Sequence, residues 1–191
     1  MVKIAIVGPE ESKWKLLTRL TLLQVKNRVM AEIYAIFRKY AVKTIRDYSE
    51  YYGEETYDFS NIILISGRCP KGGVDIWAEQ LADELSIKKE IFAPEVNQWN
   101  DKVLSDLHGG EFVAYGYKSR NTKIAKTCDV LYCIVPKTFD ATKFGTIPYG
   151  MRNKTTFCNY CDTFEHPTNG GCWTMKFTKK LGKETHLVVI E

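Results

Sequence analysis

Four residues in the last quarter of the chain have the types and spacing of metal ligands. Cys158, Cys161, His166 and Cys172 make the run C-x₂-C-x₄-H-x₅-C. Tetrahedral zinc takes thiolate and imidazole, and a C-x-x-C turn can present two sulfurs to one ion. The flanking Asn159, Asp162, Pro167, Thr168 and Asn169 are turn residues. With all four positions filled by protein, a zinc here is structural and not catalytic. The competing readings are a redox dithiol at Cys158 and Cys161, or no site at all, with His166 a solvated loop residue. Of the other cysteines, Cys128 just before and Cys133 within the 129–135 strand read as packing residues, while Cys69 is a candidate reactive thiol.

A second group of residues suits anion binding. Ile62–Ile65 is a short apolar run, followed by Ser66, Gly67, Arg68, Cys69, Pro70, Lys71, Gly72, Gly73 and Val74. The run reads as a strand buried on both faces. Val74, Trp77, Ala78, Leu81 and Leu85 then recur at helical spacing. Glycines let backbone approach a ligand closely, and a helix start offers unpaired N–H groups to an anion. A strand, a glycine loop with two cations and a helix together suggest a phosphate-binding crossover, although any such turn uses glycines.

The elements that must position these groups follow from periodicity. Val2–Val7 is a first strand closed by Gly8 and Pro9, and residues 10–20 read as a loop or one turn that carries Ser12 and Trp14. Thr21 with Gln24 has the capping-box spacing for a helix of about five turns through Tyr40. Residues 46–61, with Tyr48, Tyr51, Tyr52 and Tyr57, read as a surface connection, and 89–93 as a short strand. Residues 96–107 suggest one helix with Trp99, Val103 and Leu107 inward. A basic helix over 117–126, a strand over 129–135, an irregular insertion over 137–169, a helix opened by Gly170 and Gly171, and a final strand over 185–190 complete the chain. The alternation predicts an α/β fold: one Rossmann-like domain over 1–191, a mainly parallel sheet flanked by helices, with the Cys/His site clamping the insertion. In such sheets ligands bind beyond the carboxyl ends of the strands at a topological switch point. The loops after Val7, Ser66 and Val135 and the Gly170–Gly171 helix start are expected to meet there.

Composition narrows the classes. With 27 basic and 23 acidic residues the net charge is +4, which permits phosphate-bearing partners without requiring nucleic acid. No apolar run approaches the ~20 residues of a membrane span, and Val2 enters a strand at once. The expected compartment is therefore the cytoplasm, where clustered thiols favour metal over disulfide.

Three segments resemble the SLOG superfamily, the DprA-like and LOG-like Rossmannoid domains with the small YspA-type proteins. Ser66-Gly67 with Gly72-Gly73-Val74-Asp75, then Ala78 and Ala82, resembles its "SGG…GAD…AE…A" signature. Tyr117-Lys118-Ser119-Arg120-Asn121 with Ala125, Cys128 and Asp129 is similar to its "RN…M…AD" stretch, and Gly170-Gly171-Cys172-Trp173-Thr174 to its "GGT" helix start. The resemblance spans about residues 2–136 and 168–191, and the Cys/His run is one residue longer in its last gap than a retroviral-type zinc knuckle. It implies a nucleotide or nucleotide-derived ligand, with Arg120 toward its phosphate. In LOG-type hydrolases a "PGGxGTxxE" glutamate does the acid–base work, and here the run after Gly171 carries no carboxylate at that place. Asp75, Glu111 or Glu165 could replace it only by folding into the pocket.

Three functions follow as expectations. The first is a nucleotide-derived ligand-binding protein with structural zinc, its site built from Gly8, Ser12, Ser66, Gly67, Arg68, Lys71, Gly72, Gly73, Asp75, Arg120, Asn121, Gly170 and Gly171, its metal held by Cys158, Cys161, His166 and Cys172. Arg120 is favoured because its planar fork matches phosphate; Trp14 is a candidate for base stacking as well as for core. The second is a nucleoside-phosphate N-glycosidase or transferase using a non-standard carboxylate. The third is a nucleic-acid binder using Lys118, Lys123, Lys126, Lys137, Lys143, Arg152 and Lys154. Expected partners are a nucleotide-derived small molecule, with nucleic acid or a second copy of the chain as alternatives, and no membrane. His108 and His186 read as structural or exposed.

Overall fold

The structure, a computed structural model, describes residues 1–17, 20–47, 53–137, 158–163, 166 and 168–190. Its elements in order are β1 (Val2–Val7), α1 (Glu11–Leu17), α2 (Leu22–Tyr40), β2 (Val42–Asp47), β3 (Gly53–Asp58), β4 (Ile62–Ser66) and α3 (Val74–Glu84). Then come β5 (Lys88–Ile91), β6 (Lys102–Ser105), β7 (Glu111–Ala114), α4 (Tyr117–Thr127), β8 (Val130–Pro136), α5 (Gly170–Lys180) and β9 (Glu184–Ile190).

Five of these strands, all parallel, form the central sheet in the order β5-β4-β1-β8-β9. β1 is its middle strand, with Ile4 opposite Leu64 on one side and Val130 on the other. Side chains alternate along a strand, and β1 uses both faces. Ile4 and Ile6 pack with Trp14, Val25, Val29, Ile33, Phe37 and Trp77 from α1, α2 and α3. Ala5 and Val7 pack with Ile124 and Cys172 from α4 and α5. A strand covered on both faces must be apolar throughout, which is why Val2–Val7 and Val130–Pro136 carry near-continuous apolar runs. The fold is α/β and Rossmann-like, as the alternation predicts. Among the described residues no helix is long and apolar enough to cross a membrane.

Local signals held where they were strongest. Thr21 caps α2 with the full reciprocal box: its side chain accepts from the Gln24 amide while the Gln24 side chain accepts from the Thr21 amide. Gly182 stops α5 at φ 75°, in the left-handed region.

Three expectations are corrected. Residues 11–17 form the short helix α1, and Trp14 on it is fully buried against Trp77, so it packs the core and stacks no base. Residues 46–61 are not merely a connection: β2 and β3 pair antiparallel, held by Lys43–Glu55 at 2.5 Å and Thr44–Thr56 at 3.2 Å. Residues 96–107 are not a helix. Asp106 accepts from the amides of His108 and Gly110 and turns the chain, so β6 and β7 form a second hairpin. Val103 and Leu107 are exposed there. Among the described side chains neither hairpin has an alternating buried face, and so neither carried a period-two signal. Tyr48, Tyr51, Tyr52 and most of the 137–169 insertion lie outside the described residues.

Replacing Thr21 with alanine leaves the Gln24 amide without its cap. Stability is expected to fall by about 1 kcal/mol in urea unfolding, with an unchanged m-value.

Candidate functional site

β4 and β8 leave β1 on opposite sides, so the sheet reverses its direction of growth at β1. A cavity of about 280 Å³ opens there, beyond the carboxyl end of β1. Val7, Gly8 and Pro9 form its floor, Glu10 and Lys13 come from the start of α1, and Cys69, Lys71 and Asp75 from the loop and first turn of α3. Trp99, Tyr117, Arg120 and Asn121 close one side, and Gly170, Gly171 and Thr174 of α5 the other.

Arg120 is the most constrained of these groups. It is 9% exposed, and its Nη1 donates to the Gly67 carbonyl at 2.9 Å and to Asp75 Oδ2 at 3.1 Å. Its Nε is buried and meets no acceptor among the described residues. The guanidinium lies so close over Gly67 that a Cβ there would stand 2.0 Å from Nη1. Gly67 therefore works by leaving room for Arg120. Gly73 works differently: at φ 98° it starts α3 with its Cα against the Pro9 carbonyl, where a Cβ would come within 2.4 Å. Burial pushes the Asp75 carboxyl above the usual aspartate range, against the opposing pull of Arg120. For an acid so shifted, the folded state holds its proton after the unfolded chain has lost it. Its contribution to stability thus declines as pH rises from the ordinary aspartate value toward the raised one.

Two helix starts reach the cavity rim, and they differ. At α4 the Tyr117 and Lys118 amides already donate to the Gln98 and Trp99 carbonyls. The Gly116 amide donates to Asp101, which also accepts from Ser119 Oγ at 2.7 Å. These bonds bring Trp99 to the cavity. At α5, Asn169 caps the Cys172 amide at 3.1 Å. Gly170 and Gly171 come first in that helix, where amides have no intrahelical acceptor, and both line the cavity. Asn121 reaches toward the Gly170 carbonyl at 3.5 Å.

Of the thirteen residues expected around a ligand, Gly8, Lys71, Asp75, Arg120, Asn121, Gly170 and Gly171 line the cavity; Ser12, Ser66, Gly67, Arg68, Gly72 and Gly73 do not. Ser66 and Arg68 have another task. Ser66 Oγ donates to Glu79 Oε1 at 2.6 Å and Arg68 Nε to Glu79 Oε2 at 3.1 Å, which neutralises a carboxylate buried on α3. Ser12 is exposed and bonds Glu10. Glu10, Lys13, Tyr117 and Thr174 are cavity residues that periodicity did not single out, and Trp99, expected inward on a helix, lines the cavity from the segment before β6 instead. Of the carboxylates weighed for catalysis, Asp75 lines the cavity, Glu111 is exposed on β7 away from it, and Glu165 lies outside the described residues.

The four proposed metal ligands do converge. The ligand atoms of Cys158, Cys161, His166 and Cys172 all lie within 4.8 Å of one another, and three of the four residues are buried. His166 Nδ1 is 3.8 Å from Cys172 Sγ. Tetrahedral zinc with Zn–S near 2.3 Å sets ligand atoms about 3.7 Å apart. The Cys158 amide and carbonyl close a tight turn through Thr163 and Asp162. Cys133 lies just behind, its Sγ 3.9 Å from that of Cys172. Its bond and burial push the Cys172 thiol up, and burial with the neighbouring sulfurs does the same to Cys161. Thiols this crowded resist ionisation, and a divalent cation supplies the charge that offsets it.

Cys128 packs in the core with its thiol pushed up by burial to about 11. Burial also raises the Cys69 thiol, so it is not an activated nucleophile. His186 Nε2 meets Glu184 at 2.6 Å and its ring stacks on Tyr132. Lys143, Arg152 and Lys154 lie outside the described residues, and Lys123 rests on the Tyr115 ring. Comparison of the chain with protein-family models, curated proteins and solved structures finds no match.

Asp75→Ala leaves a buried guanidinium without its counter-charge. A loss of about 3–5 kcal/mol is expected in urea unfolding, whereas Glu55→Ala, at an exposed pair, should barely move the midpoint.

Proposed function

We propose that the chain binds a nucleotide or nucleotide-derived ligand at the β1 switch point and carries a structural zinc. The observation that carries the reading is Arg120: a guanidinium nine-tenths buried that lines the cavity together with the first turn of α5. The first amides of α5 and the Lys13 and Lys71 ammonium groups share that cavity with it. A planar fork, a helix start and added positive charge are complementary to phosphate, while Trp99 and Tyr117 offer ring faces to a base. The motif order of the SLOG superfamily is consistent with this arrangement, and membership in it is part of the proposal. The cytoplasmic setting expected from the thiols belongs to it as well.

Zinc would be held by Cys158, Cys161, His166 and Cys172, whose spread matches a tetrahedral set of three thiolates and one imidazole. Its role would be to join the turn at Cys158–Thr163 to the first turn of α5, where Cys172 follows the two cavity glycines. Elemental analysis is expected to give one zinc per chain. Chelation should lower the melting temperature and weaken ligand binding together, because Cys172 and Gly171 are adjacent; an unchanged melting temperature with no zinc found would refute the metal site.

A second reading, N-glycosidic cleavage of a nucleoside monophosphate, draws on Asp75 and Glu10, the two carboxylates that line the cavity among the described residues. Both are engaged, Asp75 by Arg120 and Glu10 by Lys71 at 3.5 Å, which favours binding over acid–base work. Free base released on incubation with nucleoside monophosphates would reverse that preference.

Calorimetric titration with nucleoside 5′-monophosphates tests the main reading. Arg120→Ala should weaken binding at least about tenfold, as expected for loss of a charge-assisted bond to phosphate. Lys118→Ala, on α4 but outside the cavity, should not. Equal affinity in wild type and Arg120→Ala would remove the proposal.

A further inference from the structure

Trp99, at the rim of the cavity, has an aromatic neighbour outside it. The Trp99 indole meets Trp173 edge to face with ring centroids 5.3 Å apart, and Trp173 stacks on Phe177 at 5.4 Å and 4°. Beyond Trp173 lies a second hollow of about 180 Å³, lined by Tyr160, Trp173, Lys176, Phe177 and Lys180. One helix builds both. At 3.6 residues per turn, Gly170, Gly171 and Thr174 share one face of α5, and Trp173, Lys176, Phe177 and Lys180 share the next. None of the latter four is buried, so the core does not account for a Trp–Phe stack there.

The two hollows share ring faces beside cations, and they differ in that Glu10 and Asp75 also line the first. The first combines Trp99 and Tyr117 with Arg120, Lys13 and Lys71. The second combines three rings with two lysines, and among the described residues no carboxylate lines it. Ring faces beside cations are how bases and their phosphates are held without base-edge contacts. A motif of that kind used twice, across a shared tryptophan pair, suits a ligand with two base–phosphate units. Tyr160, which forms the far wall, lies between Cys158 and Cys161, so the metal cluster also sets the width of the second hollow.

We infer that the second hollow takes the second nucleotide of a dinucleotide ligand whose first phosphate sits against Arg120. This rests on the cavity being a nucleotide site. The test is calorimetry of wild type with a 5′-monophosphate (pN), the matching 5′-phosphorylated dinucleotide (pNpN) and a 5′-phosphorylated decamer. pNpN should bind about tenfold or more tightly than pN, the scale of one added stacked base. The Lys176→Gln/Lys180→Gln variant, changed only at exposed positions, should lose most of that gain and keep its pN affinity; Trp173→Ala should lose it too. Equal affinity for pN and pNpN overturns the inference and leaves the cavity reading standing. A gain that survives both variants overturns it as well, and a decamer far tighter than pNpN replaces the two-nucleotide unit with a single strand. Binding of neither pN nor pNpN removes the cavity reading and this inference with it.

Discussion

A guanidinium inside an α/β domain has to be neutralised, and much of the site is arranged around doing so for Arg120. The residue comes from α4, its counter-charge Asp75 from the first turn of α3, and its carbonyl acceptor Gly67 from the loop after β4. Three elements far apart along the chain are thereby tied at one point beside the carboxyl end of β1. Such a pair is not a source of net stability, because desolvating two ions offsets most of their attraction. Its value is positional. It holds a fork-shaped cation in the lining of the cavity.

The neighbouring Ser66–Glu79–Arg68 network shows the contrast. Glu79 is buried, but Ser66 and Arg68 meet both of its oxygens, and nothing there is left for a ligand. Two cations in the same few turns of structure, Arg68 and Arg120, thus have opposite roles. One neutralises an internal carboxylate from a half-exposed position. The other is buried, paired with Asp75 and the Gly67 carbonyl, and lines the cavity. Distance along the chain does not distinguish them; burial and partner count do.

α5 joins the two chemical centres. Its first residues face the cavity, Cys172 turns toward His166 and Cys133, and Trp173 and Phe177 lie on the face between. A helix gives these neighbours different directions because each residue turns by about 100°. Any movement of the Cys/His cluster is consequently felt at Gly170 and Gly171, one or two residues away.

The sequence by itself determined the strands of the central sheet, the capped helix α2 and the Cys/His set. Each rests on a short-range rule: a doubly covered strand must be apolar, a cap needs a side-chain acceptor at a set spacing, and zinc needs soft ligands on a tight turn. It also pointed to Arg120, Asp75 and the Gly170–Gly171 start. Tertiary structure alone decided which cations face the cavity, that Ser66 and Arg68 serve Glu79, and that Trp14 is core while Trp99 is rim. The two hairpins were likewise invisible, since cross-strand pairs such as Lys43–Glu55 and exposed apolar residues such as Val103 and Phe112 leave no periodic mark. These outcomes depend on contacts between residues distant in the chain, where desolvation and partner geometry, not local pattern, set where a charge or a ring comes to rest.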